Sequence, residues 1–534
     1  MSTRLLFRGA TVVDGTGADR FRADVLVSDG RIAELGDGLT APQVIDADGL
    51  VLAPGFIDMH SHSDLRLLVE PEHPSRVTQG VTCEVLGQDG LSYAPVDERT
   101  LPALRRQLAG WNGDPADFDW NWRTVGQYLD RLDAQGLAVN ACYLVPHGTL
   151  RTLVLGWQRR APGAAELDRM RELLAQGLAE GAVGLSSGLS YPPGMYADTA
   201  ELTALCAVVA AHGGYHSPHQ RSYGAGALAG YAEMVEISRR SGCPLHLAHA
   251  TMNFAANAGR AGELLALLDE ATAAGLDVTL DSYPYLPGST SLAALLPSWA
   301  AEGGPAATLA RLADPAARER IRAALEEEGS DGCHGVVVDW TTVQVSGVRS
   351  AELAGAVGRT VAELAAGRGL TGTEYCFELL RADELGTTIL QHVGHEENVR
   401  AIMRHPAHTA GSDGLLVGAR PHPRAWGTFA RYLGHYGRDL GILTLEGAVA
   451  RMTGRPARRL RLHRRGLVRP GHHADLVLFD PAAVADRATF EQPRRAAAGI
   501  HHVYVNGTAV LRDARPTGAL PGRALRRTAA GRVG

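Results

Sequence analysis

Eight short apolar runs alternate with helical stretches through the middle of this chain, and that alternation restricts the fold more than any other feature. The runs are GFIDM (55–59), VTCEVL (81–86), VNACYLV (139–145), AVGLSS (182–187), GGYHS (213–217), PLHLA (244–248), DVTLD (277–281) and HTAGS (408–412). Amphipathic stretches such as AAELDRMRELLAQGLAEG and AGELLALLDEATAAG separate several of them. Strands joined through helices run parallel with right-handed crossovers. Eight such units predict an α/β fold, a closed (β/α)8 barrel of the TIM type. At 534 residues, 45% of them hydrophobic, the chain has material for that barrel and for additions to it.

Both ends of the chain read differently. Residues 1–53 hold RLLFRGATVVDG, ADVLVSDGRIAELG and QVIDADGLVLAPG, and the rear holds GLVRPGHHADLVLFDP and GIHHVYVNGTAVLRD. Alternation with Asp-Gly turns predicts β-hairpins. The expectation is one small β-sandwich domain built from residues 1–53 and 463–534, around a barrel over 54–462. The stretch from about 292 to 390 is too long for a loop and predicts an insertion with its own helices and strands.

In such a barrel chemistry gathers at the C-terminal ends of the strands. His60 and His62 follow the first run, one residue apart, so an extended backbone turns both imidazoles to one side. Asp89 follows the second run, His147 the third, His219 and Arg221 the fifth, and His249 the sixth. Tyr283 and Tyr285 follow the seventh, and Asp413 the eighth. Taken singly, each has an ordinary explanation: a packed histidine pair, a core histidine, a turn aspartate. Their convergence on one barrel mouth predicts a nitrogen and oxygen site for Zn2+ or a similar divalent ion.

Composition narrows the chemistry. The sequence contains no lysine. That excludes a Schiff-base lysine, a P-loop lysine and a carboxylated lysine bridging two metals. A net charge of −6 asks for neither nucleic acid nor an anionic membrane. Six scattered cysteines without CxxC spacing, and a start without a secretory signal pattern, predict a reduced cytoplasmic protein.

The residues PGFIDMHSHSD, GLSSGLSYPPG, DSYPY, GSDG, HPRAWGTFARYLG and RGLVRPGHHADLVLFDP carry a resemblance along nearly the whole chain. It resembles the amidohydrolase superfamily, in particular the N-acyl-D-amino-acid deacylases. The resemblance implies His60, His62 and Asp413 at one metal position, and His219 and His249 at a second. The family carries a ligand cysteine in a G-N-C-G turn after the second strand; here the turn is GQDG, with Asp89 in its place. A carboxylate is harder than a thiolate and can bridge two ions. Cys83 and Glu84 are rivals for that role from within the strand. A lysine common in the family near the substrate carboxylate is replaced by Thr251, while Arg424 in HPR remains to grip a carboxylate, with Tyr191 and Tyr283 to orient it.

The activity implied is metal-dependent hydrolysis of an N-acyl-amino acid, D-selective by resemblance alone. One or two ions would activate water, and Asp413 would serve as general base and acid. The insertion would shape the acyl pocket. A cyclic-amide hydrolase, a deaminase and a non-catalytic scaffold of the same fold stay open at this point, as does a homo-oligomer.

Overall fold

The computed structural model describes residues 4–534. All eight runs form strands: Phe56–Asp58, Val81–Leu86, Asn140–Pro146, Gly184–Gly188, Tyr215–His219, Leu245–Leu247, Val278–Ser282 and His408–Ala410. Each pairs in parallel with its neighbour in sequence order. The first and last strands close the ring: the Met59 N–H donates to the Ala410 carbonyl at 3.2 Å, and the Asp413 N–H to that of His60 at 2.8 Å. Strands such as Val81–Leu86 are buried at every position, as expected of a sheet covered on both faces.

The β-domain is one continuous sheet of nine strands drawn from both ends of the chain. Arg4–Val12, Phe21–Ser28, Arg31–Gly36, Gln43–Asp46 and Val51–Pro54 come from the front. Leu476–Phe479, Ile500–Val505, Thr508–Arg512 and Arg515–Pro516 come from the rear. Two hairpins turn on Asp29-Gly30 (φ 50° and 75°) and Asn506-Gly507 (φ 51° and 81°), the pair of positive angles that matches strand twist. The two halves join where Val51–Pro54 pairs antiparallel with Leu476–Phe479. Only Gly55 separates this strand from the first barrel strand, so the β-domain is anchored directly behind the HxH pair.

Two expected boundaries differ. The tail does not stay with the β-domain: Leu525 donates to the Ala141 carbonyl at 2.8 Å, and Leu525 and Val533 pack with Ile57, Met59, Val85, Leu144 and Val183. This segment closes the N-terminal end of the barrel, which would otherwise leave those apolar side chains in water. The insertion also starts earlier than 292. Its sheet has an edge strand at Gly288–Ser291 that pairs with Thr388–Gln391, itself paired with Val343–Gly347. The sequence GSTS has no apolar alternation, because that strand is half-buried throughout and packs no face on a core. The run GVVVD is not a strand, and its Val337 is exposed. The insertion has its own apolar core, including Leu292, Leu312, Val345, Phe377 and Ile389.

Candidate metal centre

Six side chains meet at the C-terminal mouth of the barrel. His60 and His62 leave the first strand with their Nε2 atoms 3.3 Å apart. Asp58, the last residue of that strand, accepts from the backbone N–H of His60 (3.2 Å) and of Ser412 (2.8 Å), tying the first strand end to the eighth. His219 ends the fifth strand, and its Nδ1 lies 2.9 Å from His249 Nε2. Asp89, His249 and Asp413 take positive φ values of 54°, 30° and 49°. Few non-glycine residues adopt that region, and here it turns three loop side chains inward at the strand ends.

Asp89 sits among all four imidazoles. Its Oδ1 is 3.4 Å from His60 Nε2 and from His249 Nε2. Its Oδ2 is 3.5 Å from His62 Nε2 and 3.4 Å from His219 Nδ1. Asp413 Oδ1 lies 3.1 Å from His62 Nε2 and 3.7 Å from His60 Nε2. Two groups that could hold a metal ion result, with Asp89 common to both: His60, His62, Asp89 and Asp413, and Asp89, His219 and His249.

Electrostatics follow from burial and this crowding. Burial pushes the Asp89 carboxyl up, but the imidazoles of His249, His60 and His219 outweigh it and hold it well below the usual carboxylate range. Burial likewise opposes ionisation of Asp413, yet the Arg424 guanidinium and His62 bring it below its ordinary value. His60 and His62 resist burial and are raised, chiefly by Asp89 for the first and by Asp413 and Asp89 for the second. His219 goes down, because burial prevails over Asp89.

Surrounding residues fix these orientations. Ser190 Oγ is 2.6 Å from His219 Nε2, so His219 presents Nδ1 to Asp89. Asp281 Oδ1 accepts from the His249 backbone N–H at 2.9 Å, and its Oδ2 stands 3.7 Å from His60 Nδ1, beyond a direct hydrogen bond. A Cβ on Gly411 would come within 2.6 Å of Asp281 Oδ1 and 2.8 Å of His60 Cβ, so only glycine fits there. Gly188 is bound similarly: its Cβ would overlap the Asp89 carbonyl.

A cavity of about 70 Å³ opens over the centre, lined in part by His62, Asp89, His219, His249 and Asp413. Tyr191, Thr251 and Tyr283 also line it. Tyr191 donates to or accepts from Thr290 at 2.9 Å, and Thr251 Oγ1 donates to Asn253 at 2.7 Å. Arg424 is fully buried and lies one layer back, over the Tyr283 ring at 4.4 Å and with NH2 3.0 Å from Asp413 Oδ2. That contact is close but badly angled, and none of the three guanidinium nitrogens has a hydrogen-bond partner.

Other residues at the strand ends serve the scaffold. His147 Nε2 is 2.7 Å from Glu201, which also pairs with Arg151. Arg221 pairs with Glu233 at 2.7 Å, and Tyr285 packs against Arg431. Cys83 faces the barrel interior with Ile57 and Cys142, and Glu84 turns to His73 and Arg76, so neither joins the metal-type groups. Sequence reading did not single out Ser190, Asp281, Trp111 or His334. Trp111 and His334 line the cavity from the segment after the second strand and from the insertion. Ser190 and Asp281 lie within quoted motifs, yet only distance identifies their partners.

The donor set suits a divalent ion. Five of the six side chains supply an imidazole nitrogen or carboxylate oxygen within 3.5 Å of Asp89 or are Asp89 itself, and Asp89 Oδ1 is buried with no hydrogen-bond partner. Buried anionic oxygen of this kind is costly unless a cation meets it. The pattern of the Amidohydrolase family matches residues 43–511.

The chain belongs to the amidohydrolase family.

Within that family it is 38% identical over 533 residues to D-aminoacylase of Alcaligenes xylosoxydans xylosoxydans, covering 98% of both chains. A solved structure of D-aminoacylase, with a binuclear metal centre, superposes with a TM-score of 0.82 at 37% identity over 98% of this amidohydrolase and 99% of the other. N-acyl-D-glutamate deacylase from Bordetella bronchiseptica, complexed with zinc and a phosphonate that mimics the tetrahedral intermediate, gives 0.82 at 35% identity over the same shares.

Proposed function

We propose that this amidohydrolase removes the acyl group from N-acyl-amino acids of D configuration, with Zn2+ or a similar divalent ion bound at the barrel mouth. The observation that carries the reading is Asp89 among four imidazoles, with Asp413 alongside. His60, His62 and Asp413 would hold one ion, His219 and His249 a second, and Asp89 both. When bound there, a divalent ion lowers the pKa of water and polarises an amide carbonyl.

The chain's own residues supply the rest. Asp413 Oδ1 faces His62 and its Oδ2 faces Arg424; from between them its carboxylate would accept a proton from the attacking water and return it to the departing amine nitrogen. Ser190 and Asp281 keep His219 and His249 in register. Tyr283, Tyr191 and Thr251 line the cavity where the substrate would lie. Arg424 is the cation for the substrate carboxylate. Its support is three buried guanidinium nitrogens without hydrogen-bond partners, an arrangement that a bidentate carboxylate would satisfy.

The substrate is a small molecule. No helix among the described residues is long and apolar enough to cross a membrane. Six free, buried cysteines support a reducing, cytoplasmic setting.

The test is metal analysis of the purified protein beside assays on N-acetyl-D- and L-amino acids. Bound metal with D-specific deacylation supports the reading. Metal without turnover on any substrate would redirect it to another amide, and protein that takes up no zinc when supplied with it would overturn it.

A further inference from the structure

We propose that the apolar cavity adjoining the metal cavity is an acyl-chain site, and that it takes a short unbranched alkyl chain longer than acetyl. This rests on the deacylase reading. The second cavity measures about 90 Å³ and lies between helix Leu101–Asn112 and the start of the insertion. Trp111, Tyr191 and Ala294 line both cavities, so the two share a wall, and the methyl of Ala294 is its smallest part.

The chemistry of the lining selects the occupant. Leu91, Trp157, Ala293, Ala301 and Leu385 supply apolar surface. Two of the polar groups are engaged, Gln107 Nε2 donating to the Pro192 carbonyl at 2.7 Å and the Tyr191 hydroxyl held by Thr290, while Gln107 Oε1 is buried without a partner. Arg106 is exposed, at the cavity's rim. No carboxylate lines the cavity. Its volume of about 90 Å³ suits a short unbranched chain.

Direction separates the acyl group from the amine. Asp413, the proton carrier, stands with Arg424 and Tyr283, which follow the eighth and seventh strands. The leaving amine and its carboxylate belong on that side. Trp111 and Tyr191 follow the second and fourth strands, across the barrel mouth. The acyl chain leaves the scissile carbonyl in that direction and meets the second cavity.

The experiment uses the zinc-loaded full-length chain with N-acetyl, N-butanoyl and N-hexanoyl forms of one D-amino acid. The expected result is a rise in kcat/KM of about fourfold per added methylene until the cavity fills. Ala301→Phe occupies the cavity, and the hexanoyl-to-acetyl ratio should fall at least tenfold. An acetyl preference in the wild type, or an unchanged ratio in a folded Ala301→Phe protein, would overturn the proposal. A binding readout is independent of turnover, because Trp111 and Trp157 line the cavity. Saturable fluorescence change with hexanoate but not acetate, lost in Ala301→Phe, supports the site even if no N-acyl-amino acid is hydrolysed and the deacylase reading fails. No response to hexanoate counts against it.

Discussion

Arg424 NH2 lies 3.0 Å from Asp413 Oδ2, and both side chains are buried. The guanidinium is therefore placed to hold Asp413 ionised, and under the proposed function it also binds the substrate carboxylate. Replacing Arg424 with Met should raise KM for N-acyl-amino acids at least tenfold, with a smaller fall in kcat. Arg424→Lys should lie between, since it keeps charge without the planar fork. Steady-state kinetics on acids and on the corresponding carboxamides checks this. If carboxamides, which lack the anion, suffer the same KM change, Arg424 acts only through Asp413.

Asp89 separates the two metal-type groups from a set of mere histidine contacts. Asp89→Ala should lower metal content and reduce kcat/KM by about 100-fold or more, the upper range for disturbing a metal site from outside its ligands. Asp89→Cys should retain one ion, because a thiolate favours a single tightly held zinc. Elemental analysis of the three proteins decides it; equal metal content in all would remove Asp89 from the ligand set.

Ser190 holds His219 through a 2.6 Å contact at Nε2. Without it the ring is free to rotate away from Asp89. Ser190→Ala should weaken zinc affinity by about tenfold or more while leaving the fold intact. Competitive chelator titration, with circular dichroism as the folding control, measures both.

Glu84 gives a pH prediction apart from the metal-type groups. Burial raises its pKa, but His73 and Arg76 prevail and bring it to about 2. A carboxyl depressed on folding stabilises the native state above its unfolded value of about 4.3 and loses that contribution as pH falls toward the folded value. Glu84→Gln leaves Arg76 with Asp58 as its one remaining carboxylate, 3.4 Å from its Nε, and should cost up to about 3 kcal/mol at neutral pH. Its stability should also fall less than the wild type's between about pH 4.5 and pH 2. Denaturant melts across that range test the sign; parallel curves would show that folding does not depress the Glu84 pKa.

The barrel was legible because its signals are local. Strand and helix periodicities, and the rule that loops after strand C-termini carry chemistry, need only neighbouring residues. They locate all eight strands, and with them His60, His62, Asp89, His219, His249 and Asp413 at one mouth. Asp29-Gly30 and Asn506-Gly507 announce their hairpins for the same reason. What depends on residues far apart was not readable. His62 and Asp413 are 351 positions apart, and only the closed ring brings them to 3.1 Å. The contacts of Ser190, the retreat of Arg424 behind Tyr283, and the tail that seals the barrel floor all arise from packing between distant segments. The polar strand Gly288–Ser291 belongs with them, since its partner lies across the insertion. Sequence by itself determined which donors exist and at which end of the barrel they stand. Tertiary structure decided which atom of each faces which, because side-chain direction and burial are set by the whole enclosure rather than by the local chain.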